Sequence, residues 1–153
     1  MTVDNADEDL AAVRNWFARL QAFCQALDYE GGREIFDPDM IAFGTFTDFM
    51  RGRDAVENQQ WRNVWGAIRD FRYDMDNIEA FVSGDRLQAV GLGMWRSTGI
   101  RRDGTTFDRP GRTTVVLRRS ALSAPFVAVH THMSLFRGTP VRSYGKSGPS
   151  GVT

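Results

Sequence analysis

LQAVGLGMWRSTGIR, residues 87–101, leads through Asp103-Gly104 into TTFDRPGRTTVVLRR, residues 105–119. Both runs alternate apolar with polar or small residues. An Asp-Gly pair between two such runs favours a tight hairpin, whose central residues need positive φ. Two long antiparallel strands are therefore predicted. Upstream, Phe71, Tyr73 and Met75 alternate on one face, while Ile78, Ala80 and Val82 have the opposite parity. A bulge near Asp76-Asn77 reconciles the halves and bends that strand, and Ser83-Gly84-Asp85 turns it into the strand starting at Leu87. Downstream, Phe126 to Arg137 forms the last strand.

The N-terminal half has a different period. Leu10, Val13, Phe17, Leu20, Cys24 and Leu27 recur at three- and four-residue spacing, which predicts one amphipathic helix over 5–28. Asn5 or Asp4 is positioned to cap it, with Glu8 as reciprocal partner of Asn5. Tyr29 to Phe36 reads as a short second helix stopped by Asp37-Pro38, because the residue before proline disfavours the α region. Met40 to Phe46 is a strand, and Asp54 with Glu57 starts a third helix that runs to Ile68. Helices followed by an antiparallel meander describe an α+β domain. Long strands with a bulge curl, and the first helix closes the open side, giving a cone with an apolar pocket. One domain over 1–137 and a flexible tail over 138–153, rich in Gly, Ser and Pro, complete the organisation.

A length of 153 residues, 42% of them hydrophobic and 25% charged, suits one soluble domain with a real core. The formal net charge is zero, which gives no electrostatic case for nucleic acid or an anionic membrane as partner. Up to Ala80 there are 16 acidic and 8 basic side chains, and from Phe81 onward 3 and 11. Either the two layers complement each other or the sheet supplies Arg to an anionic ligand. Cys24 is the sole cysteine, so no intrachain disulfide forms, and its place on the apolar stripe favours an inert buried thiol. The acidic N-terminus lacks the apolar run of a secretory signal, and no stretch approaches the ~20 apolar residues of a membrane span. A cytoplasmic location is the expectation.

The last two strands carry Gly111-Arg112-Thr113-Thr114-Val115-Val116-Leu117-Arg118-Arg119 and Phe126-Val127-Ala128-Val129-His130-Thr131-His132-Met133-Ser134. This text resembles the SnoaL-like branch of the nuclear transport factor 2 superfamily, and is also similar to the association domain of calcium/calmodulin-dependent kinase II. The element order matches over 8–137. Two departures are Phe126, where the family has tryptophan, and the Ser120 to Pro125 loop, where it has an Asp-Gly turn. The resemblance implies a cone-shaped, cystatin-like fold with three N-terminal helices, and a homodimer formed through the sheet. It leaves function open between proton-transfer, cyclisation or hydration enzymes of the ketosteroid isomerase-like type and non-catalytic assembly or ligand-sensing domains.

His130 and His132 are the only histidines, and alternate strand positions place them on one face about 7 Å apart. A metal would need carboxylates that this half of the chain scarcely offers, so neither metal nor cofactor is expected. Val127, Val129, Thr131, Met133 and Leu135 make the more apolar face and are assigned inward, which sends the histidines to the convex side or a dimer contact. Gly91 and Gly93 leave room above the strand beside Trp95. The kinase-domain resemblance implies that Trp95, Thr114 and Met133 line the pocket. Arg112, two residues from Thr114, is the cationic candidate there or else a rim arginine. Asp48, between Phe46 and Phe49, is the candidate base, although aligning FDPDMIAFG with the isomerases puts Gly44 where their aspartate stands. Trp61 and Trp65 belong to the core or face the cavity. The expected site is thus Asp48 and Arg112 as catalytic residues, with Trp65, Trp95, Thr114, Thr131 and Met133 against an apolar ligand that carries a carbonyl or carboxylate.

Overall fold

The computed structural model describes residues 5–145. Helix α1 (Asn5–Ala26) buries Val13, Trp16, Phe17, Leu20 and Cys24 along the stripe read from the sequence. The alternative capping residue Asp4 lies outside the described residues. Helix α2 (Tyr29–Glu34) ends two residues before the expected stop, since Phe36 already belongs to strand β1 (Phe36–Phe43). Asp37-Pro38 sits instead in an irregular stretch of β1, where a missing N–H interrupts no regular ladder.

After the short strand β2 (Met50–Arg51), a third helical segment follows. It begins as α3 (Arg53–Val56), widens to a π-turn over Glu57–Trp61, resumes as α4 (Arg62–Val64) and tightens to a 3-10 turn over Trp65–Ala67. Its start is set by Gly52 at φ 89° and not by an Asp54 cap. Asp54 pairs with Arg33 at 2.7 Å, while Glu57 takes Arg33 at 2.9 Å and Arg62 at 2.8 Å.

The remaining strands are β3 (Arg69–Tyr73), β4 (Glu79–Val82), β5 (Gln88–Ile100), β6 (Thr106–Asp108), β7 (Gly111–Arg118) and β8 (Val127–Leu135). β5, 13 residues long, is the spine. On one edge it pairs with β4 and then β3, separated by a turn over Met75–Asn77 at the place where the parity changes. On its other edge it pairs with β7 and then β6, separated at Arg109-Pro110. The sheet order is β2-β1-β8-β7-β5-β3. It is mixed, not purely antiparallel, because β1 runs parallel to β8; those two strands are joined through the whole meander and not by a hairpin.

α1 lies across the concave face. A Cβ on Gly91 would stand 2.9 Å from Phe17 Cε2, and one on Gly93 3.0 Å from Phe17 Cε1. The room left by these glycines is therefore filled by the helix, and not by a ligand. The described part of the supposed tail is also bonded into the fold: Tyr144 N–H donates to Ile100 O at 2.8 Å, and Ser143 bridges Ile100 N and Ala67 O. The boundary at 137 thus falls short, while 146–153 lies outside the described residues. No helix among the described residues is long and apolar enough to cross a membrane.

Candidate functional site

Between the third helical segment and the concave sheet lies a cavity of about 40 Å³. α1 gives it Leu20 and Cys24, the third segment gives Val56, Gln60, Trp61, Val64 and Trp65, and the sheet gives Phe36, Trp95, Thr131 and Met133. The π-turn makes the helical wall. A wide turn lets the consecutive residues Gln60 and Trp61 both be buried, and Trp61 then stacks on Trp65 at 4.9 Å, which stacks on Tyr29 at 5.4 Å. Trp61 and Trp65 are therefore core residues and cavity wall at once.

Trp65, Trp95, Thr131 and Met133 are brought together here. Arg112 and Thr114 are not. Along β7 the buried positions are Gly111, Thr113, Val115 and Leu117, and Thr113 faces Met133 across the ladder while Thr114 faces His132 on the outer side. Arg112 is exposed, its guanidinium 4.3 Å from the Phe136 ring. The alternation was readable: Arg112 and Arg118 share a parity that solvent favours, so Thr114 had to go outward with them.

Asp48 is exposed and does not line the cavity. Gly44 does line it, but Gln60 Oε1 occupies the space that its Cβ would take. The position at which the isomerase resemblance implies a catalytic carboxylate thus carries none. On β8 the inward face differs from the expectation too. A register shift makes Val129 an extra residue, so Ala128 rather than Val127 and Val129 is buried, while Thr131 and Met133 keep the inward parity. His130 Nδ1–H donates to Ile41 O at 2.7 Å, which fixes its tautomer, and His132 is exposed. Neither lines the cavity. The described residues hold no group of three or more His, Cys, Asp or Glu that could bind a metal.

Sequence reasoning missed Gln60 and Arg109 among the lining residues, and Arg109 is the charged one. It sits at the break between β6 and β7, where its N–H donates to Ser97 O at 2.9 Å and its carbonyl accepts from Ser97 Oγ at 2.7 Å. The inward parity of Gly111 and Thr113, extended back two residues, points its side chain into the interior, where it is 2% exposed. The guanidinium lies 5.8 Å from the Trp95 ring and donates through Nη2 to Val141 O at 3.1 Å and Thr45 Oγ1 at 3.4 Å. No carboxylate among the described residues lies within 4.0 Å of it. Burial pulls its pKa down to about 10, so it remains protonated at neutral pH. Burial also pushes the Cys24 thiol up to about 12, which leaves it inert.

No family model matches the sequence, and no curated protein does. Solved structures do match its shape. A nuclear transport factor 2-like protein from Salmonella enterica serovar Typhimurium has a TM-score of 0.70 at 20% identity, over 89% of this chain and 96% of that one. The fold is nuclear transport factor 2-like. A ketosteroid isomerase-like protein from Erwinia carotovora atroseptica has a TM-score of 0.71 at 16% identity, covering 85% and 98% of the two chains. A Xanthomonas campestris protein named for the association domain of calcium/calmodulin-dependent protein kinase II has a TM-score of 0.65 at 17% identity, covering 90% and 91%. At these identities the likeness is one of nuclear transport factor 2-like architecture, which hosts unrelated functions, and the site must speak for its own chemistry.

Proposed function

We propose that this protein is a cytoplasmic small-molecule-binding domain whose cavity takes a compact, largely apolar ligand. One observation carries the reading: of the five buried side-chain polar atoms without a partner among the described residues, three belong to cavity-lining residues, namely Gln60 Oε1, Trp95 Nε1 and Arg109 Nε. Buried polar groups are nearly always hydrogen-bonded. An apolar wall with a few convergent unpaired polar atoms is the pattern of a binding pocket. The volume of about 40 Å³ favours a compact ligand over a steroid-sized one.

Binding is placed ahead of turnover. Proton-transfer, cyclisation or hydration chemistry on a carbonyl compound, which the resemblance implies, calls for an acid or base that titrates near neutrality. The described cavity lining offers neither carboxylate nor histidine, only Cys24 and Arg109 with their high pKa values. Ligand sensing or storage fits such a lining better than catalysis.

The test is a fluorescence titration with compact apolar compounds, read from the tryptophans in the wall, on wild type and on a cavity-filling Thr131→Leu variant. Wild type is expected to bind and Thr131→Leu to lose at least tenfold in affinity while keeping its melting temperature. Equal binding by both proteins would exclude the cavity as the site.

A second reading, compatible with the first, rests on the outer sheet face. Phe81 is 68% exposed there and Met94 51%, beside Val90, Leu92, Val116 and the two histidines. We infer that this face pairs two copies of the chain into a homodimer.

A further inference from the structure

We propose that the ligand of this cavity is a compact apolar monocarboxylate, held by the Arg109 guanidinium with the Trp95 indole N–H as a second donor. The inference rests on the binding reading above and adds the chemical class. A guanidinium that is 2% exposed has lost its hydration, and burying an ion costs several kcal/mol unless a partner compensates. The partners present are neutral: the Val141 carbonyl and, at 3.4 Å, the Thr45 hydroxyl. Arg109 Nε has none. The other buried ion pairs show how this chain treats comparable charges: Arg119 meets Asp9 at 2.7 Å, and Glu57 meets two arginines. Arg109 stands outside that pattern.

The second, independent observation is the unpartnered Nε1 of Trp95, which is 3% exposed and whose ring lies 5.8 Å from the guanidinium. Two neighbouring unpaired donors, one of them charged, suit the two oxygens of a carboxylate. The rest of the wall selects the ligand's body. Aromatic and aliphatic side chains surround it, and Gln60 Oε1 is an acceptor that a hydroxyl on that body can satisfy. An inorganic anion would leave the apolar wall unused. Arg109, Val64 and Ile68 line both this cavity and an outer groove of about 330 Å³ that Phe46, Val141 and Arg142 also line, so they form the wall between the two.

The experiment titrates the full chain with isovalerate and benzoate, each against its primary amide, by calorimetry and tryptophan emission. Sodium phosphate serves as the competing inorganic anion. Each acid is expected to bind at least tenfold tighter than its amide, with phosphate failing to displace it. Arg109→Gln is expected to abolish the preference for the acid while keeping amide binding. Should Arg109→Gln not fold, Trp95→Phe supplies the second arm, with a three- to tenfold loss for the acids and none for the amides. Acid and amide binding alike, or phosphate displacing the acid at equal concentration, overturns the carboxylate assignment and leaves the binding reading intact. Binding of neither acid nor amide overturns both.

Discussion

At the scale of single residues, buried charge separates scaffold from site. Asp9 is 3% exposed and accepts from Arg86 Nε at 2.9 Å and from Arg119 Nη2 at 2.7 Å. The Arg86 hydrogen bond first, then Arg119, holds its carboxyl below the usual carboxylate range in spite of desolvation. A depressed folded pKa contributes stability that is complete above the unfolded value of about 3.9 and is lost as pH falls through the folded one. Asp9→Asn is therefore expected to cost about 3 kcal/mol at neutral pH, because it leaves the buried Arg119 without its carboxylate and Arg86 with only the exposed Glu8. Its deficit should shrink below pH ~4 in urea denaturation series. Asp48 provides the contrast. As an exposed side chain off the lining, Asp48→Asn is expected to leave both ligand affinity and stability within experimental error; a tenfold loss of binding would return it to the site.

At the scale of elements, close approach of α1 to β5 shapes the interior. A Cβ at Gly91 would meet Phe17 at 2.9 Å, Val13 at 3.0 Å and Val115 at 3.1 Å, all three being core side chains with no exposure. Gly91→Ala is expected to lower stability by about 1–3 kcal/mol through overpacking, with a matching fall in the urea midpoint. Gly66, in the 3-10 turn that ends the third segment, has nothing within 4 Å of its would-be Cβ, and its φ is not positive. Gly66→Ala should raise stability by about 0.4–1 kcal/mol, since the unfolded chain then has less freedom to lose. The pair separates glycine kept for packing from glycine that packing does not require. Both readings need the three-dimensional neighbours, because each residue sits in a sequence context that says only small and flexible.

At the scale of the whole molecule, ligand binding is proposed for the inner face of the sheet and assembly for the outer face. The dimer inferred for the outer face predicts that light scattering gives twice the chain mass for wild type. His132→Asp is expected to shift that mass toward the monomer, because a new charge would have to be desolvated at the contact. Ligand binding in the inner cavity should survive the change. Of the chain past Gly138, residues 139–145 also belong to the folded unit. Truncation there removes the Val141 carbonyl that caps Arg109 and the Ser143 and Tyr144 bonds to β5 and the 3-10 turn. A lower melting temperature and weakened acid binding are expected together.

The sequence by itself determined the architecture. Helical period in one half, alternation in the other and Asp103-Gly104 between two long runs are local signals, and β5 with its neighbours appeared where they pointed. Part of the cavity wall was also legible, because Trp95, Thr131 and Met133 lie on faces whose parity their own strands declare. Tertiary structure decided the rest. The parallel β1–β8 pair joins residues some ninety positions apart, and the register shift at Val129 depends on how β7 and β8 meet. The room above Gly91 and Gly93 went to Phe17 of a helix remote in sequence. The cation of the cavity is Arg109 and not Arg112, since a strand break turns on which neighbours satisfy its backbone, and whether an arginine lacks a counter-ion can be known only once every carboxylate has found its place.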